Sequence, residues 1–330
     1  EVLRSGQTTM GDRVAEFEER FARYVGAAHA VMVNSGSSAD LLMAVASRHR
    51  LGKVILPVVT WPTHVWSWSM AGSDIHFVDV DGLNTTQELV EEAITSPHDM
   101  VSLVHLMGIP ADVSDLGCRV TEDCCEALGS QPVARQGEMA TWSFFFSHHM
   151  TTMEGGMVTT DNPATASHLR SLRSHGWARH EGRDPFEFVT MGFNLRPTEI
   201  SAAIGLVQLG RLDGFNKLRA ENHRLFTERL AGCPGIELPA APEGTAPSWF
   251  GLPFFADRRD ELGAFLESQG VETRPILGGS LARQPAFRSL ARGEFPGADK
   301  VHDHGIYIGL HPVADCGVSE VAELIAGFLG

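Results

Sequence analysis

"AVMVNSGSSADLLMAVASRH", residues 30–49, joins two apolar runs of different period through a cluster of small residues. "AVMVN" reads as a short buried strand. "SGSSADLLMAVASRH" reads as a small-residue turn that feeds a helix. Units of this kind, repeated, build a parallel sheet covered by helices. Upstream, "DRVAEFEERFARYVG" (12–26) places Val14, Phe17, Phe21 and Val25 at helical spacing, with Gly26 as the stop. Downstream, "VILPVV" (54–59), "DIHFVDVD" (74–81), "MVSLVHL" (100–106), "CRVTED" (118–123), "TWSFFF" (141–146) and "MVTT" (157–160) continue the strands. "TTQELVEEAIT" (85–95) is one of the helical stretches between them. The alternation predicts an α/β fold, a mainly parallel mixed sheet sandwiched by helices. Residues 196–232 read as one long helix or two. "WFGLPFF", "RDELGAFLESQG" and "VSEVAELIAGFL" then predict a smaller C-terminal α+β unit. The division is placed at 1–209 and 210–330.

The 330 residues are 43% hydrophobic, ample for this arrangement. The net charge of -15 and the lack of a Lys/Arg block disfavour nucleic acid as a partner. No apolar run reaches membrane-spanning length, and no signal peptide is read at the start, which lacks a methionine. The five cysteines form no Cys-x-x-Cys pair, so reduced thiols in a cytoplasm are expected. Lysine is scarce: Lys53, Lys217 and Lys300 are the only ones among 26 basic residues, and none falls in a recognisable site.

Several positions carry chemistry, each with a plain structural alternative. Gly36, Ser37 and Ser38 offer free N–H groups and hydroxyls at a helix start, which suits a phosphate; equally, Ser37 or Ser38 caps the helix. Asp123 ends a strand, where it suits a pyridinium N–H or caps a following helix. Trp61, just past another strand, is a stacking platform or a core aromatic. In "SFFFSHHMTTMEGG" (143–156), His148 and His149 are core residues, an acid–base group, or metal ligands with Glu154. The metal reading is disfavoured, because neighbours in an extended segment point opposite ways and no third strong ligand is evident.

The order and spacing of these motifs resemble the sugar-aminotransferase family of pyridoxal-phosphate enzymes, nearly end to end. "FEERFARYVGAAHAVMVNSGSSADL", "ILPVVTWPT", "FVDVD", "VHLMGIPADV", "EDCCEALGS" and "MGFNLRPTEISAAIGLVQL" follow in that family's order. The resemblance implies pyridoxal-phosphate fold type I and a homodimer with shared active sites. It implies that Gly36, Ser37, Ser38 and Ser143 bind cofactor phosphate, that Trp61 stacks on the ring, and that Asp123 pairs with the ring nitrogen. Asn194 would reach the phosphate in the neighbouring subunit.

The family's lysine falls five residues after that serine, at His148. One branch of the family has this replacement, the 3-dehydratases of nucleotide-linked 4-keto-6-deoxyhexoses, and "HHMTTMEGG" resembles their segment. Glu126 is acidic as in that branch, while Met153 departs from the family's glycine. Cys125 matches one ligand of an iron–sulfur cluster that some members carry, but the loop after "RSHGW" has no cysteine, so the cluster-free kind is expected. The resemblance then implies non-covalent pyridoxal or pyridoxamine phosphate, with His148 taking a proton and returning it to the departing C3 hydroxyl. Glutamate would regenerate the amine form. An ordinary aminotransferase, elimination on another substrate and a non-catalytic relative are the alternatives.

Overall fold

The computed structural model describes residues 1–47, 52–178, 184 and 186–329. After the short α1 (Val2–Ser5) and the long α2 (Asp12–Val25), strands and helices alternate: β1 (His29–Val33), α3 (Gly36–Ser47), β2 (Lys53–Pro57), α4 (Pro62–Met70), β3 (Asp74–Val78), α5 (Gln87–Ala93), β4 (Met100–Val104), β5 (Arg119–Asp123), β6 (Ala140–Ser143), β7 (Gly156–Thr160) and α6 (Pro163–Arg173). The seven strands form one sheet in the order β1-β7-β6-β5-β4-β2-β3. Only β7 runs against its neighbours, so the sheet is mixed but mainly parallel, as the sequence predicts. β4 and β7 are buried along their whole length, the signature of a sheet covered on both faces.

α2 shows how the cover is held. Phe17 and Phe21 are fully buried, their ring centroids 5.4 and 5.2 Å from that of Phe144. Each contributes about 1.5–3 kcal/mol of burial. The open N–H groups of the α2 start are satisfied from a distance: Glu199 accepts from Gly11, Arg13 and Val14. A Cβ on Gly205 would lie 2.7 Å from the Phe17 ring, so this close helix pair requires glycine there.

Two expectations are corrected in detail. The strand read over 141–146 ends at Ser143, where the chain turns and leaves Phe145 and Phe146 exposed. The 196–232 segment is two helices, α7 (Glu199–Leu209) and α8 (Leu212–Leu230), broken at Gly210–Arg211. The expected continuation of α3 through Arg48 and His49 lies outside the described residues.

The rest of the chain folds as β8 (Ile236–Glu237), β9 (Gly251–Ala256), α9 (Arg259–Ser268), β10 (Thr273–Pro275), α10 (Pro296–His304), β11 (Gly305–Gly309) and α11 (Val318–Leu329). Its strands make a second, wholly antiparallel sheet in the order β10-β11-β9-β8. Apolar residues of both sheets, such as Val33, Leu56, Phe254 and Ile308, share one continuous core. Among the described residues no helix is long and apolar enough to cross a membrane. The C-terminal ends of β2, β5 and β6 and the start of α3 meet at one edge of the first sheet, where open α/β folds bind ligands.

Candidate active site

The turn between β1 and α3 is the first wall. Ser35 caps the helix, its Oγ accepting from Ser38 N at 3.1 Å. The capping alternative for Ser37 and Ser38 is therefore not the one realised. Ser37 Oγ donates to Thr63 Oγ1 at 3.1 Å, and Ser38 Oγ donates to Asn34 Oδ1 at 2.7 Å. Gly36 has no room for a side chain: a Cβ there would lie 2.7 Å from Ser143 Cβ and 3.0 Å from its Oγ. Glycine lets the α3 N-terminus close onto Ser143, so amide groups, hydroxyls and the positive end of a twelve-residue helix converge. That donor set fits a phosphate.

Trp61 opens α4 just beyond β2 and is 52% exposed, which rules out the core reading and leaves its face available to a flat ring. Asp123 closes β5. Its Oδ1 accepts from Cys125 N at 3.0 Å, a local turn rather than a helix cap. Among the described residues this carboxylate is bonded from Cys125 alone, which leaves acceptor capacity for the N–H of a pyridinium ring. Glu126 Oε2 accepts from Met107 N at 2.9 Å. Burial pushes this carboxyl up from 4.5 to about 7, the nearby Asp123 adding to the effect against the pull of the Met107 amide.

His148 follows β6 in a turn, not in an extended segment, and is half-buried. Its Nδ1 lies 2.9 Å from the Cys125 carbonyl. A carbonyl only accepts, so Nδ1 carries the proton and Nε2 is the basic nitrogen. Burial lowers the imidazole to about 4, opposed by the Cys125 carbonyl and Asp123 and assisted by Arg219. His148 is thus neutral at ordinary pH with its lone pair on Nε2. The Cys125 residue ties the site together: its N–H serves Asp123 and its carbonyl serves His148.

His149 has the opposite character. It is 2% exposed, with Nε2 3.0 Å from Ser248 Oγ. Ser130 Oγ spends its proton on Gly108 O at 2.7 Å, so Ser248 Oγ donates to Ser130 and His149 Nε2–H donates to Ser248. The bonds fix the His149 tautomer from the second sheet's side. Phe250, two residues past Ser248, sets its ring 5.0 Å from that of His148. Arg219 holds this segment through the carbonyls of Trp249 and Phe250, and Trp249 sits at φ 48, a left-handed conformation uncommon for a bulky residue.

No lysine reaches the site. Lys53 starts β2 at the end away from Trp61, Lys217 lies on α8, and Lys300 pairs with Glu237 on the second sheet. Asn194 is exposed and bonds none of the other predicted residues within the chain; its neighbour Leu195 accepts from Asn34 N at 3.2 Å. Met153 sits at φ 68, a conformation that favours glycine, which accounts for the glycine expected there. Part of the cysteine-free loop after Trp177, residues 179–183 and 185, lies outside the described residues. The sequence did not point to Ser35, Asp40, Ser248 or Phe250; only the serine run at 35–38 held a signal for the first.

Residues 1–325 match the model of the DegT/DnrJ/EryC1/StrS aminotransferase family. The GDP-4-keto-6-deoxy-D-mannose 3-dehydratase of Yersinia pseudotuberculosis is 34% identical, over 94% of this chain and 90% of that protein. The dTDP-3-amino-3,4,6-trideoxy-alpha-D-glucose transaminase of Streptomyces venezuelae is 32% identical over 90% of this chain and 82% of that one. A crystal structure of GDP-4-keto-6-deoxymannose-3-dehydratase with a trapped PLP-glutamate geminal diamine superposes with a TM-score of 0.92 at 30% identity, covering 98% of this chain and 95% of that one. Because that family model spans residues 1–325 and these relatives share its fold and about a third of its residues, this chain belongs to the DegT/DnrJ/EryC1/StrS aminotransferase family.

Proposed function

We propose that this protein is a pyridoxal-phosphate-dependent 3-dehydratase that removes the C3 hydroxyl of a nucleotide-linked 4-keto-6-deoxyhexose. The observation that carries the reading is His148: a neutral imidazole with its tautomer fixed and Nε2 unbonded among the described residues, in a site that no lysine enters. Aminotransferases of this kind need a lysine amine to bond the cofactor and move its protons. A dehydratase needs a single group that takes a proton and hands it to a leaving hydroxide. The 34% identical relative named for that reaction supports the choice.

When bound, pyridoxal or pyridoxamine phosphate supplies an electron sink next to the sugar's reacting carbons. Gly36, Ser37, Ser38 and Ser143 hold its phosphate, Trp61 covers its ring, and Asp123 holds its ring nitrogen. Glu126, at about 7, sits between its two protonation states at neutral pH and would bond the cofactor. His148 Nε2 takes the proton and returns it to the C3 oxygen as that group departs. The cofactor is held without a covalent bond, glutamate renews its amine form, and no iron–sulfur cluster takes part, because residues 173–188 supply no cysteine beside Cys125. Asn194, exposed at the site's margin, completes the phosphate pocket of a second copy across a two-fold homodimer. Residues 1–209 carry the cofactor groups, and residues 210–330 are the unit that seats the histidine pair through Ser248 and Phe250.

The test is incubation with glutamate, pyridoxal phosphate and a panel of nucleotide 4-keto-6-deoxyhexoses, beginning with the GDP-linked mannose form. Ammonia equal to product and a sugar lighter by one oxygen are the expected results. An aminated sugar without ammonia would make the protein an aminotransferase.

A further inference from the structure

Asp40 is a buried acid that the reading above leaves without a task. It lies on α3, 3% exposed, and Thr141 Oγ1 of β6 donates to its Oδ1 at 2.8 Å. One oxygen of Asp40, one of Asp123 and the Cys125 Sγ all lie within 4.8 Å of one another. Asp123 is itself 5% exposed. Among the described residues, no lysine or arginine bonds either carboxyl.

Two carboxylates this close in a water-poor pocket do not both ionise at ordinary pH, and one proton stays with the pair. Burial, and then the charge of Asp123, push Asp40 well above its ordinary value against the pull of the Thr141 bond. The other groups around the pair do not neutralise it. His64 of α4 and His148 are both lowered by burial and stay uncharged, and burial holds the Cys125 thiol protonated. Glu126 adds only a further partial negative charge. β6 and β7 bring no titratable side chain to α3, α6 turns Arg170 and Arg173 toward Glu18, and His29 opens β1 at the end away from the α3 turn.

We propose that Asp40 is a positioning residue for Asp123. As a neutral acid it lets one carboxylate, not two, meet the cofactor's ring nitrogen. Ionised at higher pH, it adds a second negative charge that holds that nitrogen protonated. The proposal rests on the pyridoxal-phosphate reading above and adds to it a residue that tunes the electron sink without touching the sugar.

The experiment is a pH titration of the holoprotein loaded with ¹⁵N-labelled pyridoxal phosphate, the ring-nitrogen shift being followed from about pH 6 to about pH 10. In the wild type the nitrogen should stay protonated to a higher pH than in Asp40→Asn, which keeps the shape and cannot ionise. The expected difference is about one pH unit. Thr141→Val leaves Asp40 in place and removes the donor that favours its charged form, so its curve should move in the same direction by less. This second variant decides the matter if Asp40→Asn does not fold. Curves that coincide for the wild type and the folded variants overturn the role of Asp40 alone. A wild-type protein that takes up no cofactor overturns this proposal and the functional reading together.

Discussion

Glu122 and Asp123 are neighbours on β5 and face opposite sides of the sheet, and their surroundings could hardly differ more. Glu122 is saturated. It accepts from Ala134, Gln136 and Gly137 N–H groups and from His105 Nε2 at 3.0 Å, while His105 Nδ1 accepts from Ala111 N. Burial alone would raise Glu122, but the His105 bond and the backbone donors outweigh it and set the carboxyl below its ordinary value. Asp123 has one backbone donor, and the carboxyl next to it, Asp40, is held protonated by burial and by the charge of Asp123. One carboxylate has spent its bonding capacity on the fold. The other keeps capacity in hand, which the proposed function assigns to a ligand, and buried polar groups left open in this way mark sites of function.

If that contrast is right, damage on the Asp123 side should cost chemistry, and damage on the Glu122 side should cost stability. The largest effect is expected at His148. His148→Asn should lower dehydration by about 10²–10⁴-fold, with the cofactor still bound and the melting temperature little changed. His149→Asn is its control: loss of the Ser248 bond should cost about 1 kcal/mol of stability and much less activity. Steady-state rates, cofactor absorbance and thermal melts on both variants check this pair. A His148 variant with near-full activity beside a dead His149 variant would shift the acid–base role by one residue.

Glu122→Gln comes next. It unbalances a buried, hydrogen-bonded charge and should cost about 3 kcal/mol in a denaturant titration, with the turnover of the surviving folded enzyme intact. The pH dependence has a sign. A carboxyl lowered on folding gives stability that is present above its unfolded value, about 4.3, and is lost as pH falls through the lower folded value. The variant should therefore lose this part of its acid sensitivity. An unchanged acid limb would remove Glu122 from the account of stability.

Glu126 tests the boundary between the two sides. Raised from 4.5 to about 7, it binds more protons folded than unfolded over that interval, so its contribution to stability declines as pH climbs through it. Glu126→Gln should flatten the decline, which melts at a series of pH values would show. The smallest effect is reserved for Met153, whose φ of 68 is strained for any side chain. Met153→Gly should stabilise the protein by about 0.5–1 kcal/mol, the left-handed strain relieved less the entropy of the added glycine. No change in the unfolding midpoint would mean that the turn relaxes without glycine.

The first sheet was legible because β1, β2 and β4 are built mainly of Val, Ile, Leu and Met, and because Phe17 and Phe21 keep strict helical spacing. The second sheet was legible only as a class. Its strands are short, β10 being three residues, and Pro253 inside β9 argues against a strand on local grounds. Within the site, Gly36, Trp61 and Asp123 showed themselves at strand ends and turns, whereas Ser143, inside a strand read over 141–146, came only from the family resemblance. Asp40 did not show itself, since a polar residue one turn into a helix reads as solvent-facing until β5 and β6 are laid against it. Ser248 stood 99 residues from His149, a separation across which local pattern carries nothing. The extended segment assumed for the histidine pair is a turn, and the two rings still part company because their bonding partners lie on different elements.

That long-range seat has a consequence for how the protein comes into being. All seven strands of the first sheet have left the ribosome once Thr160 has emerged, and the α3 turn with its glycine and serines is complete by then. Ser248 and Phe250 are synthesised much later, and until they dock His149 lacks the Ser248 hydroxyl and His148 lacks the Phe250 ring. On the function proposed above, a nascent chain would be equipped to hold the phosphate well before it is equipped to move a proton, since Ser248 and Phe250 follow every strand of the first sheet in the sequence.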